Sequence, residues 1–278
     1  EEMLLEKTLR HEAGIIAGYD RITDQYDFRK RAILDELRAA GISLEDVRVI
    51  VGRGGLIKPV PSGVFEVNDA LEADLRAGLQ GHHASNLGGL IARDLARSLP
   101  DAKAYIADPV VVDEMDDVAR VAGHPEFERI SIFHALNQKA IARLHAEKTG
   151  RAYEDMNLIV AHMGGGISVG AHRKGRVVDV NQALDGEGPF SPERSGTLPA
   201  GALAKLCFSG KYSQDGLLRM NTGKGGLIDL LGTADFRAVD QKAEEGDAEY
   251  SQVFDALSYQ TAKWIASMVA AFDEIGRA

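Results

Sequence analysis

Apolar side chains recur at Phe28, Ala32, Ile33, Leu34, Leu37 and Ala40, a helical spacing that Gly41 stops, and the β-branched run Val47–Val51 then predicts a strand. That strand should end in a loop at Gly52-Arg53-Gly54-Gly55, with Pro59, Pro61 and Gly63 keeping the next stretch irregular. Asn68 or Asp69 caps a helix to Ala77, Ser85-Asn86 opens another to Leu99, and Ala104–Ala107 is a short strand that delivers Asp108. Beyond Gly123-His124-Pro125 the pattern predicts a strand over Ile130–Phe133, a helix over Asn137–Lys148 and a strand over Asn157–His162 that runs into Gly164-Gly165-Gly166. Ile167–Gly170 and Val177–Val180 read as a hairpin turning at Lys174-Gly175. Helices are expected over Ala200–Phe208, Gly225–Leu231, Ala234–Glu245 and Ala248–Ile275, the last with Val253, Leu257, Ala262, Ile265 and Val269 as its apolar stripe. Strands alternating with helices in both halves predict an α/β protein. Its ligands should lie where strand ends meet turns: after Val51, at Asp108 and after His162.

A chain of 278 residues suggests about two domains, with the boundary placed near residue 130. A composition 45% hydrophobic and 27% charged excludes disorder. The net charge of −10, without a run of five basic residues, speaks against nucleic acid as a partner but leaves an anionic small substrate open. Cys207 stands alone, which excludes an internal disulfide and a cysteine-based zinc site and points to the cytoplasm. No apolar run long enough to span a membrane and no basic signal-peptide start are read from the sequence, so no membrane partner is expected.

Several residue groups suit anion chemistry. Glycines flank Arg53 and let a ligand come close to its guanidinium, although the same string also suits an ordinary turn. His162-Met163-Gly164-Gly165-Gly166-Ile167-Ser168 resembles a backbone nest for phosphate oxygens, or else a tight structural turn; it fits neither the Walker lysine motif nor the dinucleotide pattern. The polar segment from Asp185 to Gly196 has the length of a functional loop, and Arg194 in it offers a second cationic clamp. Asp108 offers a carboxylate to a metal-bound phosphate, and His134 can stabilise negative charge or simply pack. His82-His83 lack zinc-ligand partners, so a metal is expected to arrive on a nucleotide.

Taken together, Gly52-Arg53-Gly54-Gly55-Leu56, His83-Ala84-Ser85-Asn86-Leu87-Gly88, Ala107-Asp108-Pro109-Val110, Phe133-His134-Ala135-Leu136-Asn137, His162 to Ser168 and the loop from Asp185 to Pro199 closely resemble the butyrate kinases. These are acid kinases within the acetate and sugar kinase, heat-shock ATPase and actin superfamily. The resemblance implies two related domains of the actin-like ATPase (ribonuclease H-like) type with a nucleotide cleft between them, here residues 1–129 and 130–278. It implies ATP/ADP and Mg2+ as cofactors, butyrate as substrate and a homodimer. It places Arg194 and His134 around the transferring phosphoryl group and Asp108 at magnesium or substrate. His162, with Gly164, Gly165, Gly166 and Ser168, falls at the phosphates, and His83 and Asn86 at the substrate. Arg53 joins the catalytic set on chemistry alone. Family members carry a further first strand with a phosphate-touching turn and a final adenosine-binding segment, and residues 1–11 read as the strand after that turn, so both ends are expected to be missing. The alternatives are a kinase for acetate, propionate or a branched acid, or a fragment that only binds ligands.

Overall fold

The computed structural model describes residues 2–11, 13–19, 21–81 and 83–272. It divides into two compact units, Glu1–Val111 and Val112–Ala278. In the first, α1 (Ala13–Ala17), α2 (Tyr26–Ala39), β1 (Val49–Arg53), β2 (Val64–Glu66), α3 (Asp69–Ala77), α4 (Ser85–Arg97) and β3 (Lys103–Ala107) follow in order. The sheet order is β1-β3-β2, with β1 parallel and β2 antiparallel to β3. Asn68 caps α3 by accepting the Leu71 N–H at 2.9 Å. Helix α4 buries Leu87, Leu90, Ile91 and Leu95. It can approach β1 closely because a Cβ on Gly88 would sit 2.7 Å from the Arg53 carbonyl oxygen.

The second unit carries α5 (Asp117–Arg120), α6 (Ala135–Lys148), β4 (Asn157–Met163), β5 (Ile167–Arg173), β6 (Arg176–Val180), α7 (Ala200–Cys207), α8 (Gln214–Asn221), α9 (Leu227–Leu231), α10 (Phe236–Glu244) and α11 (Ala248–Met268). Strands β4, β5 and β6 form an antiparallel meander. The β5–β6 turn has positive φ at both Lys174 and Gly175, as a two-residue type I′ hairpin requires. One face of the sheet, with Val169, Ala171 and Val178, joins Leu257 and Met268 of α11 in an apolar core. The other carries Leu158 and Val160 against Ala142 and Ala146 of α6.

Four expectations change. Residues 2–11 form no strand; Met3 and Leu4 stay exposed, and an unpaired strand has no ladder to hold it. Ile130–Phe133 joins no strand ladder: Ile132 and Phe133 are buried, the Ile132 carbonyl accepts the Ala183 N–H at 2.9 Å, and the Ser131 hydroxyl donates to the Val112 carbonyl at 2.7 Å. Its apolar pattern thus reports packing rather than a ladder. The loop expected at Gly52 begins later, because Gly52 and Arg53 still pair with Ile106 and Ala107. The long last helix ends at Met268, followed by a 3-10 turn to Ala271, and its expected end at Ile275 lies outside the described residues. The three-residue edge strand β2 and the helix α8 carried too little periodicity to be read. Among the described residues no helix is long and apolar enough to cross a membrane.

Candidate functional site

The second unit gathers most of its candidate residues around one turn. His162 and Ser168 are cross-strand partners at the ends of β4 and β5, and Gly164–Gly166 connects them. His134, which precedes α6, stacks on His162 with ring centroids 3.8 Å apart and 11° between planes. Its Nδ1 lies 2.9 Å from the Ser168 hydroxyl.

None of the three glycines has φ in the left-handed region, so positive φ is not what calls for glycine here. The Gly164 N–H donates to the Gly166 carbonyl at 3.1 Å. Side-chain crowding explains the glycines. A Cβ on Gly164 would lie 2.8 Å from His162 Nε2, one on Gly165 would lie 3.2 Å from Glu193 Oε2, and one on Gly166 would collide with Arg194 Nη1. The segment from Ser191 is tied over the turn: the Ser191 hydroxyl donates to the Gly165 carbonyl at 2.7 Å, and the Glu193 N–H donates to the same oxygen at 3.2 Å. Arg194 is half-buried and donates to the Ala183 carbonyl. Burial lowers its pKa from the ordinary guanidinium value, while Glu193 pulls it back up. A guanidinium and two imidazoles around a glycine turn make a donor-rich site suited to phosphoryl oxygens.

Behind this turn lies a polar layer between α6 and β5 that sequence reasoning missed. Gln138 donates to the Ser168 carbonyl at 3.0 Å and to its hydroxyl at 2.8 Å, and its Oε1 lies 2.9 Å from His172 Nε2. Tyr153 meets His172 Nδ1 at 2.7 Å. The available signal was the period-two spacing of Ser168, Gly170 and His172, which puts all three on one face of β5. Gly170 belongs there because a Cβ would strike Gln138 Oε1.

His172 is fully buried, and burial, with the nearby Lys139 and Arg143 charges, pushes its pKa down to about 3. The unfolded chain takes up a proton here near the ordinary value of 6.5, whereas the native protein does not until about 3. The resulting stability is complete above that ordinary value and is lost as pH falls toward the native one, at up to about 1.4 kcal/mol per pH unit. His172→Asn should therefore flatten the dependence of unfolding free energy on pH between about 4 and 6. An unchanged slope in denaturant titrations would assign the acid sensitivity to other groups.

The first unit brings its candidates to the carboxyl ends of β1 and β3. Arg53 ends β1, is exposed and pairs in register with Ala107, next to Asp108. Asp108 is buried with φ +35°, an unusual backbone for a non-glycine residue. It is held there by its N–H, which donates to the Gly63 carbonyl at 2.9 Å. Its Oδ1 accepts from the Ser62 hydroxyl at 2.6 Å and the Gly63 N–H at 2.9 Å.

The Asn86 amide is engaged with backbone. Its Oδ1 accepts from the Leu56 N–H at 2.9 Å, and its Nδ2 donates to the Gly81 and Leu75 carbonyls at 3.2 and 3.3 Å. It fastens the turn that follows Arg53. His83 Nδ1 accepts the Ser85 N–H at 3.2 Å and lies 2.9 Å from the Ser85 hydroxyl, at the start of α4. His82 lies outside the described residues.

Residues 129–276 match the model of the acetokinase family. Butyrate kinase 1 of Clostridium acetobutylicum is 53% identical over 265 residues, covering 95% of this chain and 74% of that protein. Among solved structures, an acetate kinase of Porphyromonas gingivalis superposes with a TM-score of 0.71 at 20% identity, covering 82% of this chain and 60% of that one. A propionate kinase of Francisella tularensis gives 0.71 at 21% identity, with 87% and 65% covered. The chain thus shares the fold of these kinases while spanning 60% to 65% of their length.

Proposed function

Because the chain belongs to the acetokinase family, we propose that it transfers the γ-phosphoryl group of ATP reversibly to butyrate, giving butyryl phosphate and ADP. A carboxylate oxygen forms a bond to the γ-phosphorus as the bond to the β,γ-bridging oxygen breaks, and that electron pair leaves on ADP. No proton needs to move. The task of the protein is to align the reactants and to offset repulsion between anions.

The arrangement of Arg194, His134 and His162 about the Gly164–Gly166 turn carries this reading. It offers one cation and two imidazole rings to phosphoryl oxygens. The likeness to a relative named butyrate kinase supports the choice of acid. In the first unit Arg53 offers a guanidinium for an anion and Asp108 a single carboxylate for magnesium. A magnesium carried on nucleotide phosphates neutralises charge there and takes only one or two carboxylates from the protein. His83 is assigned to the substrate and Asn86 to holding the turn beside it; a homodimer in the cytoplasm completes the proposal.

Hydroxylamine trapping of acyl phosphate tests it, with ATP, magnesium and acids from acetate to valerate, for this chain and for a version extended to the relative's length. Product should peak at butyrate and vanish with chelator. A peak at another acid would move the assignment to that acid, since one methylene is worth only about 1–3 kcal/mol. No product with any acid would overturn the kinase reading.

A further inference from the structure

We propose that Gln138, Ser168 and His172 are positioning residues that fix the tautomer of His134, through a hydrogen-bond chain in which every donor points the same way, from Tyr153 to His172, Gln138, Ser168 and finally His134. The consequence is a neutral His134 with its proton on Nε2, held as a hydrogen-bond donor. This rests on the proposed phosphoryl transfer only for its catalytic meaning.

The polarity follows from one group that cannot donate. The Ser168 backbone carbonyl accepts from the Gln138 amide at 3.0 Å, so the nitrogen end of that amide faces Ser168. Its Oε1 then faces His172, and the ring nitrogen 2.9 Å away, Nε2, must carry a proton. His172 is fully buried and stays neutral, so its Nδ1 is bare and takes the Tyr153 hydroxyl proton at 2.7 Å. At the other end, Gln138 Nε2 donates to the Ser168 hydroxyl oxygen at 2.8 Å. Ser168 is also fully buried, and the acceptor within reach of its own hydrogen among the described residues is His134 Nδ1, at 2.9 Å. A His134 that accepts at Nδ1 carries its proton on Nε2.

Two further features agree. His134 and His162 stack 3.8 Å apart, where two imidazolium charges face to face would repel, so a neutral His134 suits the pair. Hydrogen bonds aligned in one direction also polarise one another, which strengthens the last donor in the chain. For a reaction that moves no proton, a fixed donor toward a phosphoryl oxygen is worth more than an acid or base.

Long-range 15N–1H correlation of the histidine side chains tests this on the unaltered protein. His134 should show a bare Nδ1 and a protonated Nε2, and a protonated Nδ1 would overturn the proposal. Gln138→Glu puts an acceptor where the amide donated, so the Ser168 hydroxyl should turn toward it and Nδ1 of His134 should become protonated. Ser168→Ala should leave a mixture of tautomers. In both variants kcat should fall roughly ten- to a hundred-fold with the KM for the acid unchanged, as for groups that orient metal-binding imidazoles. A tautomer unmoved in both would also overturn the chain. If His134 shows the expected tautomer but no acid is phosphorylated, the kinase reading fails and the chain stands.

Discussion

Gly166→Ala should leave the fold nearly as stable as before and remove most of the turnover, by roughly 10²- to 10⁴-fold. The added methyl collides with Arg194 Nη1, the far end of a flexible side chain, and the backbone at Gly166 is not in a left-handed conformation. The guanidinium can therefore swing away at little cost in stability, but it leaves the position over the glycine turn from which it would meet the transferring group. Arg194→Ala should cause a loss of the same size. The double variant should be no worse than either single one, because both act through one side chain. Acyl-phosphate assays and melting temperatures on the three variants decide the matter. A fall in melting temperature that parallels the loss of activity would make Arg194 a structural residue, and additive losses would separate it from Gly166.

That prediction depends on a contact that the sequence announced only in part. Three glycines in a row and a long polar loop were both visible, and the hairpin at Lys174-Gly175 was legible because a two-residue turn has its own chemistry. The helices α2, α3, α4 and α6 were legible from caps and apolar spacing, since those signals are local. What the local pattern could not give is which partner each residue meets. Glycines read as room for a ligand's approach make room for His162, Glu193 and Arg194 of this chain. Asn86, placed at the substrate by resemblance, spends its amide on the backbone of Leu56, Leu75 and Gly81. Ile130–Phe133 looked like a strand because the burial of Ile132, and of Phe133 among Val112, Met115 and Val177, demands the same apolar residues as a ladder does. Gln138 and His172 were passed over because their meaning lies in a pairing between a helix and a strand 34 residues apart.

Breaking the pair between Glu114 and Lys139 should cost the second unit about 3–5 kcal/mol. Nothing in the pattern of α6 marks Lys139 as interior, yet it is 1% exposed. Its Nζ lies 2.6 Å from Glu114 Oε2 and 3.0 Å from the Gly175 carbonyl. The same Glu114 oxygen accepts the Val177 N–H at 2.9 Å, so one carboxylate ties α6 to the start of β6. Glu114→Gln takes from the buried lysine cation the carboxylate it meets at 2.6 Å and should show the full loss in denaturant unfolding, and Lys139→Met takes the ammonium from that carboxylate. Joined in one protein, the two substitutions should cost less than their sum, because the lysine cation is removed together with the carboxylate it meets. Single losses under about 1 kcal/mol would mean that the pair is wetter than its burial implies. The effect should also reach the chemistry. Lys139 follows Gln138 directly, and His134 stands four residues before Gln138 at the N-cap of α6, so an α6 released from β6 would lose the register that holds the imidazole against Ser168. The double variant, which restores stability without restoring the tie to Val177, should therefore recover its melting temperature more fully than its kcat.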